Sequence, residues 1–142
     1  MKTVRQLLQS KSGKLCTIGP DASVLDALKL MAEKNVGALL VVKDDKLAGI
    51  ISERDYARKV VLLGKSSHET PVKEIMTERA ICVQPDNTVE ECMALMTDKH
   101  IRHLPVIEKE KLIGVLSIGD LVKETISEQQ FVIQQLESYI HS

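Results

Sequence analysis

The sequence predicts an α+β fold in which two βαββα-type repeats pack with pseudo-twofold symmetry and a C-terminal helix follows. Three observations predict it. The chain repeats itself: shifted by 65 residues, Thr17–Val61 lies on Cys82–Ile126 without a gap, and 13 of those 45 positions are identical. Within each copy the apolar period switches from helical to strand-like at matching places. At 142 residues the chain has the length of one ordinary domain. A chain of that size buries about 68–70% of its unfolded surface, whereas one copy alone could bury little. The expected division is residues 1–64 for the first repeat, 65–126 for the second and 127–142 for a helical tail, all in one compact module.

The elements follow in order. Val4-Arg5-Gln6-Leu7-Leu8 is similar to Val72-Lys73-Glu74-Ile75-Met76, with a longer linker around Ser10–Lys14 in the first copy. After Pro-Asp, Ser23 and Thr88 are helix N-caps, and Asp26 or Glu91 three residues on suggests a capping box. Val24, Ala27, Leu28 and Met31 fall at i, i+3, i+4 and i+7, as do Val89, Cys92, Met93 and Met96, which marks two core-facing helices. Apolar strands follow at Ala38–Val42 and Leu104–Ile107. Charged turns, Lys43-Asp44-Asp45-Lys46 and Glu108-Lys109-Glu110-Lys111, lead to second strands at Leu47–Ile51 and Leu112–Leu116, completing hairpins. Helices are expected over Glu53–Leu63 and Ile118–Thr125. Gly64–Pro71 reads as the connector. The tail begins with a Ser127-x-x-Gln130 cap, and Phe131, Ile133, Leu136, Tyr139 and Ile140 make an uneven apolar stripe on an additional helix.

Composition excludes several classes. Net charge is −1 with both signs interleaved, unlike the basic stripe of a nucleic-acid binder. Phe131, Tyr56 and Tyr139 are the only aromatics, too few for base-stacking platforms. No apolar run approaches 18 residues and the N-terminus has no signal-peptide core, so no membrane association is expected. Cys16, Cys82 and Cys92 are odd in number and lack C-x-x-C spacing, which fits a reducing cytoplasm. His68, His100, His103 and His141 form no metal-ligand spacing with a cysteine pair. There is no P-loop and no G-x-G-x-x-G, so no enzyme is nominated.

The residues that carry chemistry occur twice. Ser52 and Ser117 each end a strand and begin a helix, where free amides and the helix dipole favour an anion. Asp55 and Asp120, one turn further, can accept from two vicinal hydroxyls. Hydroxyl plus amides for a phosphate, and carboxylate for a diol, is a nucleotide-shaped arrangement. The same Ser-x-x-Asp is also a helix cap, worth about 1 kcal/mol without any ligand. Both readings stand, and they can coexist.

Gly49-Ile50-Ile51-Ser52-Glu53-Arg54-Asp55, its twin Gly114-Val115-Leu116-Ser117-Ile118-Gly119-Asp120, the strand start Ile101-Arg102-His103-Leu104-Pro105-Val106 and Val72-Lys73-Glu74-Ile75-Met76-Thr77 together resemble the cystathionine-beta-synthase (CBS) domain family. Two copies in register resemble a CBS-domain pair, or Bateman module, of the stand-alone bacterial type. The resemblance covers nearly the whole chain apart from its tail. It implies two clefts between the repeats that take AMP, ADP, ATP, NAD-type dinucleotides or S-adenosylmethionine, and pairing of the module into a flat homodimeric disc. It implies that Asp55 and Asp120 accept the ribose hydroxyls while Ser52 and Ser117 face the phosphate. It places Arg102 and His103, and with them Arg54, near phosphates. The first copy has Gly37 and Ala38 where the second has Arg102 and His103, so the clefts are expected to be unequal. Thr17 would touch base or ribose, although its counterpart is Cys82. Gly37 and Ala38 leave room beside a strand start, Pro105, Ile18 and Val83 either flank an adenine ring or belong to the core, and Gly119 completes the second motif. The expected protein is a non-catalytic regulatory module acting in trans on an effector protein.

Overall fold

The computed structural model describes residues 2–11 and 15–141, so part of the expected linker around Ser10–Lys14 lies outside the described residues. Helix α1 (Val4–Ser10) opens on a capping box in which Thr3 accepts from the Gln6 amide and the Gln6 side chain accepts from the Thr3 amide. Strand β1 (Thr17–Ile18) runs parallel to β2 (Ala38–Lys43), and β2 pairs antiparallel with β3 (Lys46–Ser52), giving the order β1-β2-β3. Between β1 and β2 lies helix α2 (Val24–Lys34), capped by Ser23 and closed by Asn35 in the left-handed conformation. Helix α3 (Glu53–Tyr56) passes directly into a π-type segment, Ala57–Val61, whose wider turn is closed by Leu62 donating to Ala57.

The second repeat follows the same plan. Helix α4 (Val72–Ile75) and helix α5 (Val89–Lys99) precede the hairpin β4 (His103–Glu108) and β5 (Lys111–Ser117). Val83, the counterpart of Ile18, makes a single parallel bridge to Val106 in place of a strand. Both hairpins carry the same register break, at Val41/Val42 and at Val106/Ile107. The tail differs from expectation. One helix, α6 (Ile118–His141), runs 24 residues without interruption, so Ser127 does not cap a new helix. Ser127 sits in a stretch free of Gly and Pro, where serine costs only tenths of a kcal/mol and the backbone ladder continues past it.

Packing interleaves the two sequence copies. One apolar cluster joins α2, β2 and β3 of the first repeat (Ala27, Leu39 and Ile51 among them) to Val72 and Ile75 of α4. The other joins α5, β4 and β5 of the second repeat (Cys92, Leu104 and Leu116) to Val4 and Leu7 of α1. Each leading helix thus completes the core of the other copy. Backbone bonds hold the exchange: Val4 donates to Asn87 and Arg5 to Pro85, as Val72 donates to Ala22 and Lys73 to Pro20. The packing units therefore do not coincide with residues 1–64 and 65–126, which describe the duplication of sequence. Leu40 and Pro105, at matching positions, are buried on the opposite sheet faces from these clusters, where β3 and β5 meet.

Candidate functional site

Two clefts open between the repeats, and each draws its Ser-x-x-Asp pair from one copy and its strand start from the other. The first, about 840 Å³, is lined by Ser52, Asp55 and Arg54 of α3 and its flank, and by Ile101, Arg102 and His103 leading into β4. The second, about 900 Å³, is lined by Ser117 and Asp120 together with Thr17, Gly37 and Ala38. Gly37 and His103 line both, and a Cβ on Gly37 would lie 3.9 Å from the His103 ring. Two backbone bonds fix the pairing of loop and helix within each repeat: Glu53 donates to Gly37 and Ile118 to Arg102.

The motif pairs form caps in this conformation. Ser52 Oγ accepts from the Asp55 amide at 3.2 Å, and Asp55 Oδ2 accepts from the Ser52 amide at 3.0 Å. Ser52 Oγ also donates to Asp55 Oδ2 at 3.1 Å. The second copy is alike, with Ser117 N donating to Asp120 Oδ2 at 2.8 Å and Asp120 N to Ser117 Oγ at 3.2 Å. Each aspartate also meets a lysine. Lys59 Nζ lies 3.2 Å from Asp55 Oδ1 and donates to the Ile75 carbonyl, while Lys11 Nζ reaches Asp120 Oδ2 and the Val115 carbonyl, both at 2.8 Å. Neither cleft is filled by these contacts, so cap and cavity are present together.

Electrostatics separate the clefts. Arg54, Arg58, Lys59, Arg79, Lys99 and Arg102 line the first, against Glu53 and Asp55. Among described residues, the second has only Lys11 and Lys34, against Asp120. Arg54 donates to the His100 carbonyl at 3.2 Å, bridging the repeats. Burial lowers the His103 pKa, and the nearby charges of Lys11 and Arg102 lower it further against Asp120. Burial pushes Asp120 upward, yet the Lys11 hydrogen bond and the Ser117 amide outweigh it and hold the carboxyl below its ordinary value.

Of the residues nominated from sequence, Ser52, Asp55, Arg54, Arg102 and His103 meet in the first cleft, and Thr17, Ala38, Ser117 and Asp120 in the second, with Gly37 between them. Pro105 and Gly119 line neither. Pro105 is buried in β4, where its carbonyl accepts from Val83, and Gly119 is exposed on the outer turn of α6. Val83 belongs to the second core cluster and Ile18 packs against the first, which is the core alternative for both. Sequence reasoning missed Lys11 and Arg79. Each stands seven residues after its copy's leading valine, Val4 or Val72, so the correspondence of the leading segments contained the signal. Among the described residues no cluster of His, Cys, Asp and Glu could hold a metal, and no helix is long and apolar enough to cross a membrane.

The CBS domain family model matches residues 4–62 and again 72–127. The chain is 44% identical to the mitochondrial CBS domain-containing protein CBSX3 of Arabidopsis thaliana, over 97% of this chain and 71% of that protein. A solved protein with CBS domains from Burkholderia ambifaria is 53% identical and superposes with a TM-score of 0.87, covering 90% of this chain and 96% of that one. The CBS domain pair of MJ0100, solved in complex with 5′-methylthioadenosine and S-adenosylmethionine, is 25% identical with a TM-score of 0.79, covering 89% and 98%. Two matched copies, the α+β architecture and the pair of clefts agree: the chain belongs to the CBS-domain family, as a tandem CBS pair.

Proposed function

We propose that this CBS pair is a non-catalytic regulatory module that binds an adenine nucleotide between its repeats, with the phosphate-rich end in the first cleft. The observation that carries the reading is the cation-lined first cleft with Ser52 and Asp55 at its edge. Six arginine and lysine side chains around one cavity suit a di- or triphosphate, because unlike charges in a partly desolvated cleft attract more strongly than in bulk water. The second cleft, nearly balanced in charge, suits a neutral or singly charged adenosine compound. MJ0100, with its two adenosine-containing ligands, supports that chemical class. In this reading AMP, ADP, ATP and NAD(H) are candidates for the first cleft, and S-adenosylmethionine for the second. The module acts as a homodimer on an effector protein in trans, in a reducing compartment such as the cytoplasm.

A melting-temperature panel tests it. At a hundredfold excess over Kd, bound ligand adds about 2.7 kcal/mol, which moves Tm by about 5–10 °C in a chain of this size. ATP is expected to bind at least about tenfold more tightly than AMP, a difference of about 1.4 kcal/mol, and the preference should shrink in high salt. Asp55→Asn keeps an acceptor for the Ser52 amide and removes the carboxylate charge, so it should abolish the ATP shift while leaving the unliganded Tm nearly unchanged. A second reading has its own observation: both Ser-x-x-Asp pairs already close as caps. If no adenine compound moves Tm, the module is a ligand-independent dimerisation scaffold.

A further inference from the structure

Helix α6 makes its last contacts with the body of the molecule through Leu121, Glu124 and Thr125, the last reaching the Met93 sulfur, while the apolar residues along one side face solvent: Val122, Ile126, Ile133, Leu136 and Ile140 are 41, 50, 54, 57 and 72% exposed. With Gln129 these fall at 122, 126, 129, 133, 136 and 140, the alternating four- and three-residue spacing of a coiled-coil seam. Over the 19 residues from Val122 to Ile140 the seam is about 27 Å long. Its two flanks differ. On one side lie Lys123, Gln130 and Glu137, and on the other Thr125, Val132 and Tyr139.

We propose that this stripe pairs with the same stripe of a second copy of the chain, running antiparallel. Charge complementarity selects both the occupant and the direction. When two α6 helices align antiparallel about position 131, Ile126 layers against Leu136, Ile133 against Gln129, and Ile140 against Val122. In that one alignment the first flank meets itself, so Lys123 faces Glu137 of the second copy and Glu137 faces its Lys123, forming two identical ion pairs. The second flank brings Val132 onto Val132. In a parallel pair, by contrast, Glu137 faces Val132 and Lys123 finds no acid. Lys123 and Glu137 form no ion pair among the described residues, so both are available. The other charged side chains of the helix before His141, Asp120, Glu124 and Glu128, are acidic, which opposes docking on an anionic membrane.

Sedimentation equilibrium on the full chain tests the proposal independently of any nucleotide. The wild-type chain is expected to dimerise at micromolar concentration. Lys123→Glu and Glu137→Lys should each weaken the dimer about tenfold or more, since two attractions become two repulsions. The double variant, or an equimolar mixture of the two single variants, should recover it. Ile133→Asp should weaken it at least about a hundredfold by placing a charge in the seam. A monomeric wild-type chain would overturn the pairing. So would a dimer indifferent to all four variants, which would place the contact on another surface such as Val61–Leu63, or charge reversals that the double variant fails to rescue.

Discussion

His103 lines both clefts, and its protonation is set by what surrounds it there. Burial opposes the imidazolium, and Lys11 and Arg102 repel it, so its pKa in the folded chain lies below the ordinary value of about 6.5. Well above that value the ring is neutral whether the chain is folded or not, and contributes no pH dependence. As pH falls through about 6.5 the unfolded chain takes up a proton that the folded chain resists, so stability declines. His103→Gln should flatten this slope in urea titrations between about pH 7 and pH 5. Polyphosphate in the first cleft reverses the local field, so ATP should raise the His103 pKa, seen by NMR titration of its ring protons, and bind more tightly as pH falls. At this scale the sequence was legible where residues occur in matched pairs. Ser52/Ser117 and Asp55/Asp120 stand at equivalent places in the two clefts. Pro105 was ambiguous, because a residue at a strand start can point into the cleft or between the sheets, and only the register of β4 with β5 decides which.

The two hairpins show how equivalent elements can rest on unequal local chemistry. Both turns place their two central residues at positive φ: Asp44 and Asp45 at 52° and 63°, and Lys109 and Glu110 at 50° and 68°. This is the two-residue loop that favours Asn-Gly. Aspartate visits this region with help from its short polar side chain, whereas lysine and glutamate have no such compensation. Replacing Lys109-Glu110 by Asn-Gly should therefore stabilise the protein by about 1 kcal/mol, or about 2–4 °C in Tm. The same exchange at Asp44-Asp45 should gain less. Equal gains at both turns would mean that backbone strain is not what separates them. Strand positions were readable to within about a residue because alternation and charged turns bracket them. The continuity of α6 was not. Ser127 with Gln130 looks like a cap, but a cap forms only where the backbone ladder is already broken, and nothing in the preceding turn breaks it.

The whole molecule is held by an exchange that repetition itself conceals. Since both copies carry the same leading pattern, the sequence cannot say whether Val4 packs on its own repeat or on the other. The structure places Val4, fully buried, among Val89, Cys92 and Leu116, and places Val72, also fully buried, among Val24, Ala27 and Ile51. Neither repeat can therefore complete its core from residues contiguous in sequence, so each cooperative unit is a core cluster drawn from both copies. Val4→Ala tests the arrangement because its damage should appear far along the chain. Truncating a buried aliphatic side chain costs about 2 kcal/mol or more. Amide exchange should then accelerate first in α5 and β5, while α2 and β3, nearer in sequence, hold their protection. Val72→Ala should do the reverse and loosen α2. Were each leading helix packed on its own repeat, the two patterns would trade places. The exchange also bears on the clefts, because Lys11 follows α1 directly and reaches Asp120 only by virtue of that crossing. Loosening α1 should therefore weaken ligand binding in the second cleft before the first.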